Sequence, residues 1–185
     1  MRYWWANQSS RATYRQEISG GYLWSPRHRS DGSRNPFYDN LRLAQPGDMV
    51  FAFHASAVRA VGIIVEAAIE SPSPEILPPP KDGEKSQNPD IPGWLLNIAW
   101  LELKEPFRPA RHMAVLEPLL PSAHSPLSPA GRGLQGGRLL ELRQHLAIPL
   151  LQLVGGRNPD KLVRPPARPG QMRFQFDAPA EGVEP

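Results

Sequence analysis

The first forty residues combine three kinds of side chain that can grip a nucleobase. Three of the five tryptophans and all four tyrosines lie before residue 40, and flat aromatic rings provide stacking surfaces for bases. Amide side chains such as Asn7 and Asn35 can both donate and accept hydrogen bonds at a base edge. Arginine forks suit phosphate oxygens. The region therefore predicts recognition of a nucleic-acid base.

Length and charge limit what this cluster can mean. With 185 residues, 40% hydrophobic and 21% charged, the chain is long enough for one globular domain with some length left over. The net charge is only +3, but 17 of the 21 basic residues are arginine. This excess permits nucleic-acid binding without requiring it, and a solvated arginine-rich surface is the alternative interpretation.

Several classes of protein are excluded or disfavoured. The absence of cysteine excludes disulfides, thiolate nucleophiles and cysteine-based zinc sites. No apolar run approaches the roughly 18 residues of a membrane span, and the N-terminus lacks the pattern of a secretion signal. We therefore expect a cytoplasmic protein.

Turn signals divide the chain into short elements. Gly20-Gly21 should end a helical turn over 13–19, and Pro36 should open a helix that runs to residue 43. The segment 71–93 reads as a long loop because it is dominated by proline and polar residues. The other expected elements are strands at 2–7, 49–53, 58–68, 94–103 and 139–142, a helix at 110–119, and a closing helix at 144–154 that Pro149 should kink.

Short strands, few helices and long loops predict an α+β protein, a small curved β-barrel flanked by short helices. The pattern of elements places one domain over residues 1–156. Residues 157–185 are rich in proline and poor in apolar patterning, so they read as a tail or linker.

Motifs in this order resemble a known family. They are Tyr3-Trp4-Trp5, Trp24 in an aromatic loop, Arg34-Asn35, Pro46-Gly47-Asp48 and Val50-Phe51-Ala52-Phe53-His54. Together they resemble the EVE domain, which belongs to the PUA-like superfamily of small β-barrels. Tyr22-Leu23-Trp24-Ser25-Pro26 and Arg34-Asn35-Pro36-Phe37-Tyr38 are closest to the EVE domains that precede HNH nucleases in modification-dependent restriction enzymes.

The resemblance implies a reader of modified bases, chiefly 5-methylcytosine or 5-hydroxymethylcytosine in DNA. Such domains take a nucleotide out of the duplex and hold it in an aromatic pocket. Flipping costs a few kcal/mol of stacking and pairing, and stacking on an aromatic side chain returns about 1–3 kcal/mol per base. A methyl group adds only a small apolar contact, so discrimination requires a shaped pocket.

The aromatic walls of this pocket are assigned by the resemblance and by strand alternation. Trp24 is the first choice for the stacking wall, with a core tryptophan that seals the barrel end as the alternative. Tyr22 is a second wall, or a residue that plugs the barrel. Alternation places Trp5 on the same face as Asn7 and Trp4 on the other face, which favours Trp5 for the pocket and Trp4 for the core.

Polar readers of the base edge are assigned in the same way. Asn7 ends the first strand and either reads the base or caps the strand end. Asn35 pairs with Arg34 in the family motif, and one of them should meet the base or its backbone. Asp48 either accepts a hydrogen bond from the cytosine amino group or forms a turn. Phe53 and Ser56 lie at a hairpin where the family contributes to its pocket, and the role of His54 is open.

Loop arginines are candidates for phosphate contacts, although any single one can be merely solvated. They are Arg11, Arg27, Arg29, Arg34, Arg132 and Arg138.

No catalytic motif accompanies these residues. The five histidines lack metal-ligand spacing, and the sequence contains no His-Asn-His segment, nucleophile elbow, phosphate loop or Rossmann glycine pattern. We therefore expect a binding module without metal or cofactor, whose effector nuclease either follows residue 185 or acts as a separate protein. Two other hypotheses remain: an RNA reader, and a small hydrolase that would need Asp48 or Glu17 as its carboxylate.

Overall fold

A computed structural model describes residues 1–8, 10–74, 91–134 and 137–155. The tail predicted for 157–185 and most of the predicted loop at 71–93 lie outside these residues. No helix in the described ranges is long and apolar enough to cross a membrane.

Seven strands form one curled, mixed sheet that resembles half of a barrel. In the sheet the order is β2-β6-β4-β3-β1-β7, with β5 paired to β6 outside this path. Only β1 and β3 run parallel; the other pairs are antiparallel. The strands are β1 Tyr3–Asn7, β2 Tyr22–Pro26, β3 Met49–His54, β4 Ala57–Ile64, β5 Ile69–Pro72, β6 Pro92–Phe107 and β7 Leu139–Leu142.

Four α-helices flank the sheet: α1 Arg11–Gly20, α2 Pro36–Leu43, α3 Met113–Leu116 and α4 Gln144–Gly155. The hydroxyl of Ser10 caps α1 by accepting from Thr13 N at 3.0 Å, and Gly21 ends the helix with φ 71°. Pro36 opens α2 and the helix ends at Leu43, as the sequence predicts.

Three segments differ from the sequence predictions. The strand predicted at 58–68 ends at Ile64, and β5 begins separately at Ile69. The predicted helix at 110–119 is divided into a 3₁₀ turn at Pro109–Arg111, the short α3, and a second 3₁₀ turn at Glu117–Leu119. Pro118 lacks the N–H that a continuous helix would need there. The predicted loop at 71–93 contributes strand at both ends, because Ser71 pairs with Gly93 and Pro72 with Pro92.

Hydrophobic residues cover both faces of the sheet. A first core contains Trp4, Val50 and Trp100, together with residues of α1 and α2. A second core contains Trp5 and Phe53, together with residues of α3 and α4. Alternation along β1 therefore separates the two tryptophans as predicted, but each meets a core and both are 0% exposed. The prediction that Trp5 lines the pocket is wrong for this reason.

Strands β2 and β7 lie at the two ends of the main strand order and are both edge strands, and side chains join them. Helix α2 contacts β2, β6 and β7. From α2, Asn40 Nδ2 donates to Leu139 O of β7 at 2.8 Å. From the residue before β7, Arg138 Nη2 donates to Trp24 O of β2 at 2.7 Å. This seam between the edges is where the candidate site lies.

Candidate nucleic-acid interface

A buried polar cluster lies at the end of β1 and consists of Gln8, Glu17, Trp24 and Arg138; we call it the Glu17 cluster. The carboxylate of Glu17 accepts from Trp24 N and from Gln8 Nε2, each at 2.9 Å. It also forms an ion pair with Arg138, whose side chain is 13% exposed. Arg138 Nε donates to Trp24 O at 3.0 Å. The cluster thus holds the backbone N–H and C=O of Trp24 from two side chains.

Burial dominates the electrostatics of this cluster. It raises the pKa of the Glu17 carboxyl above its ordinary value, although the Arg138 charge and hydrogen bonds from Trp24, Gln8 and Arg138 act in the opposite direction. Each oxygen of the carboxylate accepts from at least one donor, and the Glu17 side chain is only 3% exposed. Glu17 therefore acts as a positioning residue for Trp24.

The sequence contains a signal for this cluster. Tyr14, Glu17 and Ile18 are the buried residues of α1, and their spacing is that of one helical face. A carboxylate on an apolar face needs a buried partner. The pattern does not identify Arg138, which lies 121 residues away.

Trp24, the predicted stacking wall, lies in β2 and is 8% exposed. Its Nε1 donates to Ser71 O of β5 at 3.2 Å. The ring crosses Gly93 of β6 so closely that a Cβ there would lie 2.5 Å from Cε2. Trp24 belongs to neither hydrophobic core. It is therefore held by polar and backbone neighbours at the sheet edge rather than by the barrel interior.

Tyr22 lies two residues before Trp24 in β2, so both side chains emerge on one face. The ring is half-buried and packs against Gly20, where a Cβ would come within 2.4 Å of Tyr22 Cε1. Burial, with a smaller contribution from the Glu17 charge, raises the pKa of Tyr22 to about 12. The hydroxyl is therefore neutral at physiological pH and can both donate and accept.

Asn7 is half-buried, and its side-chain nitrogen donates to Leu134 O. Its backbone O accepts from Arg138 Nη1 at 3.4 Å, which places Asn7 and Trp24 around one guanidinium. Gly133 completes this corner, because a Cβ there would lie 2.7 Å from Phe53 Cε1 and 3.2 Å from Asn7 Oδ1.

Phe53 itself is 4% exposed and stacks on Trp5 with ring centroids 4.9 Å apart. Its role is core packing, which replaces the predicted base contact.

The β3–β4 hairpin borders the same end of the sheet. Ala55 and Ser56 form its turn with φ of 49° and 61°, and Ser56 is exposed. His54 Nδ1 lies 2.8 Å from Gln8 O, and the ring stacks on Tyr14 with centroids 5.0 Å apart. Tyr14 is a neighbour of the site that the sequence reading did not select. His54 thus anchors the turn, and Ser56 stays available for contact.

Asn35 and Asp48 have structural roles that replace their predicted roles as readers of the base. Asn35 is 1% exposed, and its Oδ1 accepts from Phe37 N at 3.0 Å as the N-cap of α2. Asp48 accepts from Arg2 N at 2.7 Å, and from Trp4 Nε1 and Gln45 N at 3.1 Å each. A carboxylate that accepts three hydrogen bonds at such distances has a structural role.

Asp48 gives the protein an acid-sensitive contribution to stability. Burial would raise its pKa, but hydrogen bonds from Arg2, Trp4 and Gln45 and the Arg2 charge outweigh it, so the pKa is lowered. A lowered folded-state pKa stabilises the protein above the unfolded-state value and loses that stabilisation as pH falls through the folded-state pKa. We expect Asp48→Asn to lower the free energy of unfolding by about 1–3 kcal/mol at pH 7.

The loss should shrink in urea unfolding as the pH falls below the unfolded-state pKa of aspartate, where the unfolded carboxylate is protonated before the native one. Asp39→Asn, which removes an ion pair to the exposed Arg34, is the matched control and should cost about 0–1 kcal/mol. A pH-independent effect of Asp48→Asn would contradict the assignment.

The six predicted phosphate-binding arginines fall into three groups. Arg11, Arg29 and Arg132 are exposed. Arg34 pairs with Asp39 at 2.7 Å, and Arg27 pairs with Glu70 at 2.6 Å. Arg138 is committed to Glu17 and Trp24, so the prediction that it contacts phosphate is corrected by its burial and by its ion pair.

The described residues contain no group of three or more His, Asp or Glu side chains that could hold a metal ion. Asp48 and Glu17, the carboxylates that a hydrolase would need, are both saturated by internal donors.

Sequence comparison gives no family: no family model matches the chain, and no curated protein matches it. Solved structures do match. A hypothetical protein from Leishmania major has a TM-score of 0.51 and 10% identity, with 85% of this chain and 96% of that chain covered. The Pho92 YTH domain, solved in complex with m6A, has a TM-score of 0.50 and 16% identity over 86% of each chain.

Human THYN1, solved in complex with DNA containing 5-methylcytosine, is similar with a TM-score of 0.46 and 15% identity, covering 83% of this chain and 97% of that chain. At such identities a similarity concerns the fold alone. With the curled mixed sheet and its short helices, the first two similarities confirm the predicted α+β fold, a small curved sheet flanked by short helices, and the Pho92 YTH domain shares this fold.

Proposed function

We propose that this chain reads modified cytosine, either 5-methylcytosine or 5-hydroxymethylcytosine, in DNA. The flipped base enters between Trp24 and Tyr22, and Asn7 reads its edge. The observation that carries this proposal is the Glu17 cluster. It fixes the backbone of Trp24 from two side chains and brings Asn7 to the same guanidinium. Rigid support of this kind is what a recognition site needs.

The Pho92 YTH domain supports reading of a modified base in general, because a protein of the same fold holds m6A. Trp24 is nearly covered in the free protein, and its Nε1 is bonded to Ser71 O. A base that stacks on the ring therefore has to displace part of this cover. Ser56, in the turn after β3, and Arg11, at the start of α1, are exposed and available for contact with the nucleic acid.

The test is a titration of short duplexes that carry cytosine, 5-methylcytosine, 5-hydroxymethylcytosine or N6-methyladenine at one position. At fixed salt concentration, one of the modified-cytosine duplexes should bind more tightly than the plain duplex. Equal affinities for all four duplexes would reject the proposal, and preference for N6-methyladenine would reassign the base.

Reading of modified RNA is the second candidate, favoured by the m6A complex of Pho92 and by the use of PUA-like barrels on RNA. It predicts that an RNA carrying the modified base outcompetes modified DNA. A hydrolase is the third candidate, although both of its carboxylates are saturated. Release of free base from modified DNA by the wild type, and its absence in Trp24→Ala, would support that activity.

We also propose that the reader serves a restriction or related defence system in the cytoplasm. The support is the resemblance of the motifs at 22–26 and 34–38 to EVE domains that precede HNH nucleases. The effector is then a nuclease attached beyond residue 185 or a separate protein. Modification-dependent cleavage of DNA by the reader together with such a nuclease, and none of plain DNA, is the expected result.

A further inference from the structure

Three buried polar atoms without a partner lie close together on β2 and β6. They are Ser25 Oγ, Arg27 Nε and Trp94 Nε1, and they are three of the five such side-chain atoms in the described residues. Ser25 is 0% exposed and pairs directly with Trp94 across the two strands. Arg27 follows β2, and its Cζ lies 4.7 Å from the Trp94 ring centroid. Buried donors without acceptors are costly, so a polar group that accepted hydrogen bonds from them would be stabilised here.

A second arginine approaches the same ring from another element. Arg42 of α2 is exposed, and its Cζ lies 4.8 Å from the Trp94 centroid. Contact with an aromatic ring stabilises and orients a guanidinium. Trp94 therefore fixes two positive charges, and these repel each other unless an anion lies nearby.

Glu70 supplies only part of the negative charge that would balance these two positive charges. It pairs with Trp94 across β5 and β6, and its Oε2 lies 2.6 Å from Arg27 Nη2. The Glu70 side chain is 67% exposed, and solvent-exposed ion pairs of this kind contribute little to stability. Glu70 pairs with Arg27 and leaves the charge of Arg42 at the same ring unbalanced, so a more highly charged anion can displace it.

We propose that Ser25, Arg27, Arg42 and Trp94, which we call the Trp94 site, bind a phosphate group of the nucleic-acid backbone, and that Glu70 occupies the phosphate position in the free protein. The inference rests on the proposed function, since it supplies the backbone contact for the same nucleic acid. Guanidinium forks match phosphate oxygens, and Ser25 and Trp94 add neutral donors. The contact positions the nucleic acid and carries no information about the base.

Arg42→Gln tests this proposal by the salt dependence of binding. The slope of log affinity against log salt falls by about 0.9 for each lost phosphate contact on duplex DNA. Because Arg27 remains on the same phosphate, Arg42→Gln should flatten the slope by at most about that amount and weaken binding to plain and modified duplexes by the same factor. Arg111→Gln, at an exposed arginine of the 3₁₀ turn after β6, is the matched control and should leave the slope unchanged.

Glu70→Gln should change the affinity for DNA in the opposite direction. Removal of the competing carboxylate should tighten binding to every duplex, most at low salt. If Glu70 only positions Arg27 for the fold, the variant will bind equally or more weakly, which would overturn its role as a placeholder for phosphate.

The two proposals fail in different ways. A wild type that binds plain and modified duplexes equally, but whose slope flattens in Arg42→Gln, would reject modified-base reading and keep the Trp94 site. A wild type that prefers modified duplex, with an identical slope in Arg42→Gln, would overturn the Trp94 site alone.

Discussion

Replacing Arg138 with methionine should lower the free energy of unfolding at pH 7 by about 3–5 kcal/mol, the range for breaking one side of a buried ion pair. The substitution leaves the Glu17 carboxylate buried without a counter-charge and removes the donors to Trp24 O. Methionine keeps the unbranched stem of the side chain and lacks the guanidinium, so the effect reports chiefly the loss of charge and hydrogen bonding. Urea unfolding of the purified protein measures it.

Low pH and a second substitution should both relieve this loss. Without Arg138, the pKa of Glu17 rises further above the unfolded-state value, so stability is retained below that value and falls as pH increases. The defect should therefore be smaller at pH 4 than at pH 7. Arg138→Met combined with Glu17→Gln should be more stable than Arg138→Met alone, and Arg111→Met serves as the surface control. Simple additivity of the two changes would show that the pair is not coupled.

Replacing Trp24 with alanine should abolish the preference for modified over plain duplex. Loss of about 1–3 kcal/mol of stacking corresponds to a roughly 5- to 150-fold weaker affinity for the modified duplex. The change should be much smaller for plain duplex, because backbone contacts supply that binding. Fluorescence anisotropy of the labelled duplexes at fixed salt measures both affinities.

Trp24→Phe keeps a ring and should retain part of the preference. Tyr38→Ala removes a half-buried aromatic residue of α2 and is the control for nonspecific effects. Thermal unfolding of each variant separates loss of binding from loss of the fold. A folded Trp24→Ala protein with unchanged discrimination would exclude Trp24 as the stacking wall.

Local signals in the sequence predict much of this fold. Pro36 and Gly21 act through their own backbone geometry, so the start of α2 and the end of α1 need no tertiary information. Strand β5 carries no such signal: its four residues are largely exposed, and it forms only because β6 extends back to Pro92 and pairs with it. Pairing partners distant in the chain are not visible in a local pattern.

The same distinction explains the site. Residue types predict aromatic walls and amides near Trp24 and Asn7, and the structure places both around Arg138. The sequence does not show that Asn35 caps a helix or that Asp48 accepts hydrogen bonds from three donors, because these roles depend on burial. Trp5 illustrates the point most directly, since its face could be predicted from alternation but not the second core that covers it.

The hydrogen bonds between the Glu17 cluster and β2 affect how readily this strand can pair with another molecule of the protein. An edge strand normally offers its unpaired N–H and C=O groups as a template for a strand from another chain, and this is a common route to aggregation. In β2 the outward N–H and C=O of Trp24 are already taken by Glu17 and Arg138. Two charged side chains thus reduce the number of backbone groups that β2 offers to a strand from another molecule, at the edge where the ligand is expected to enter.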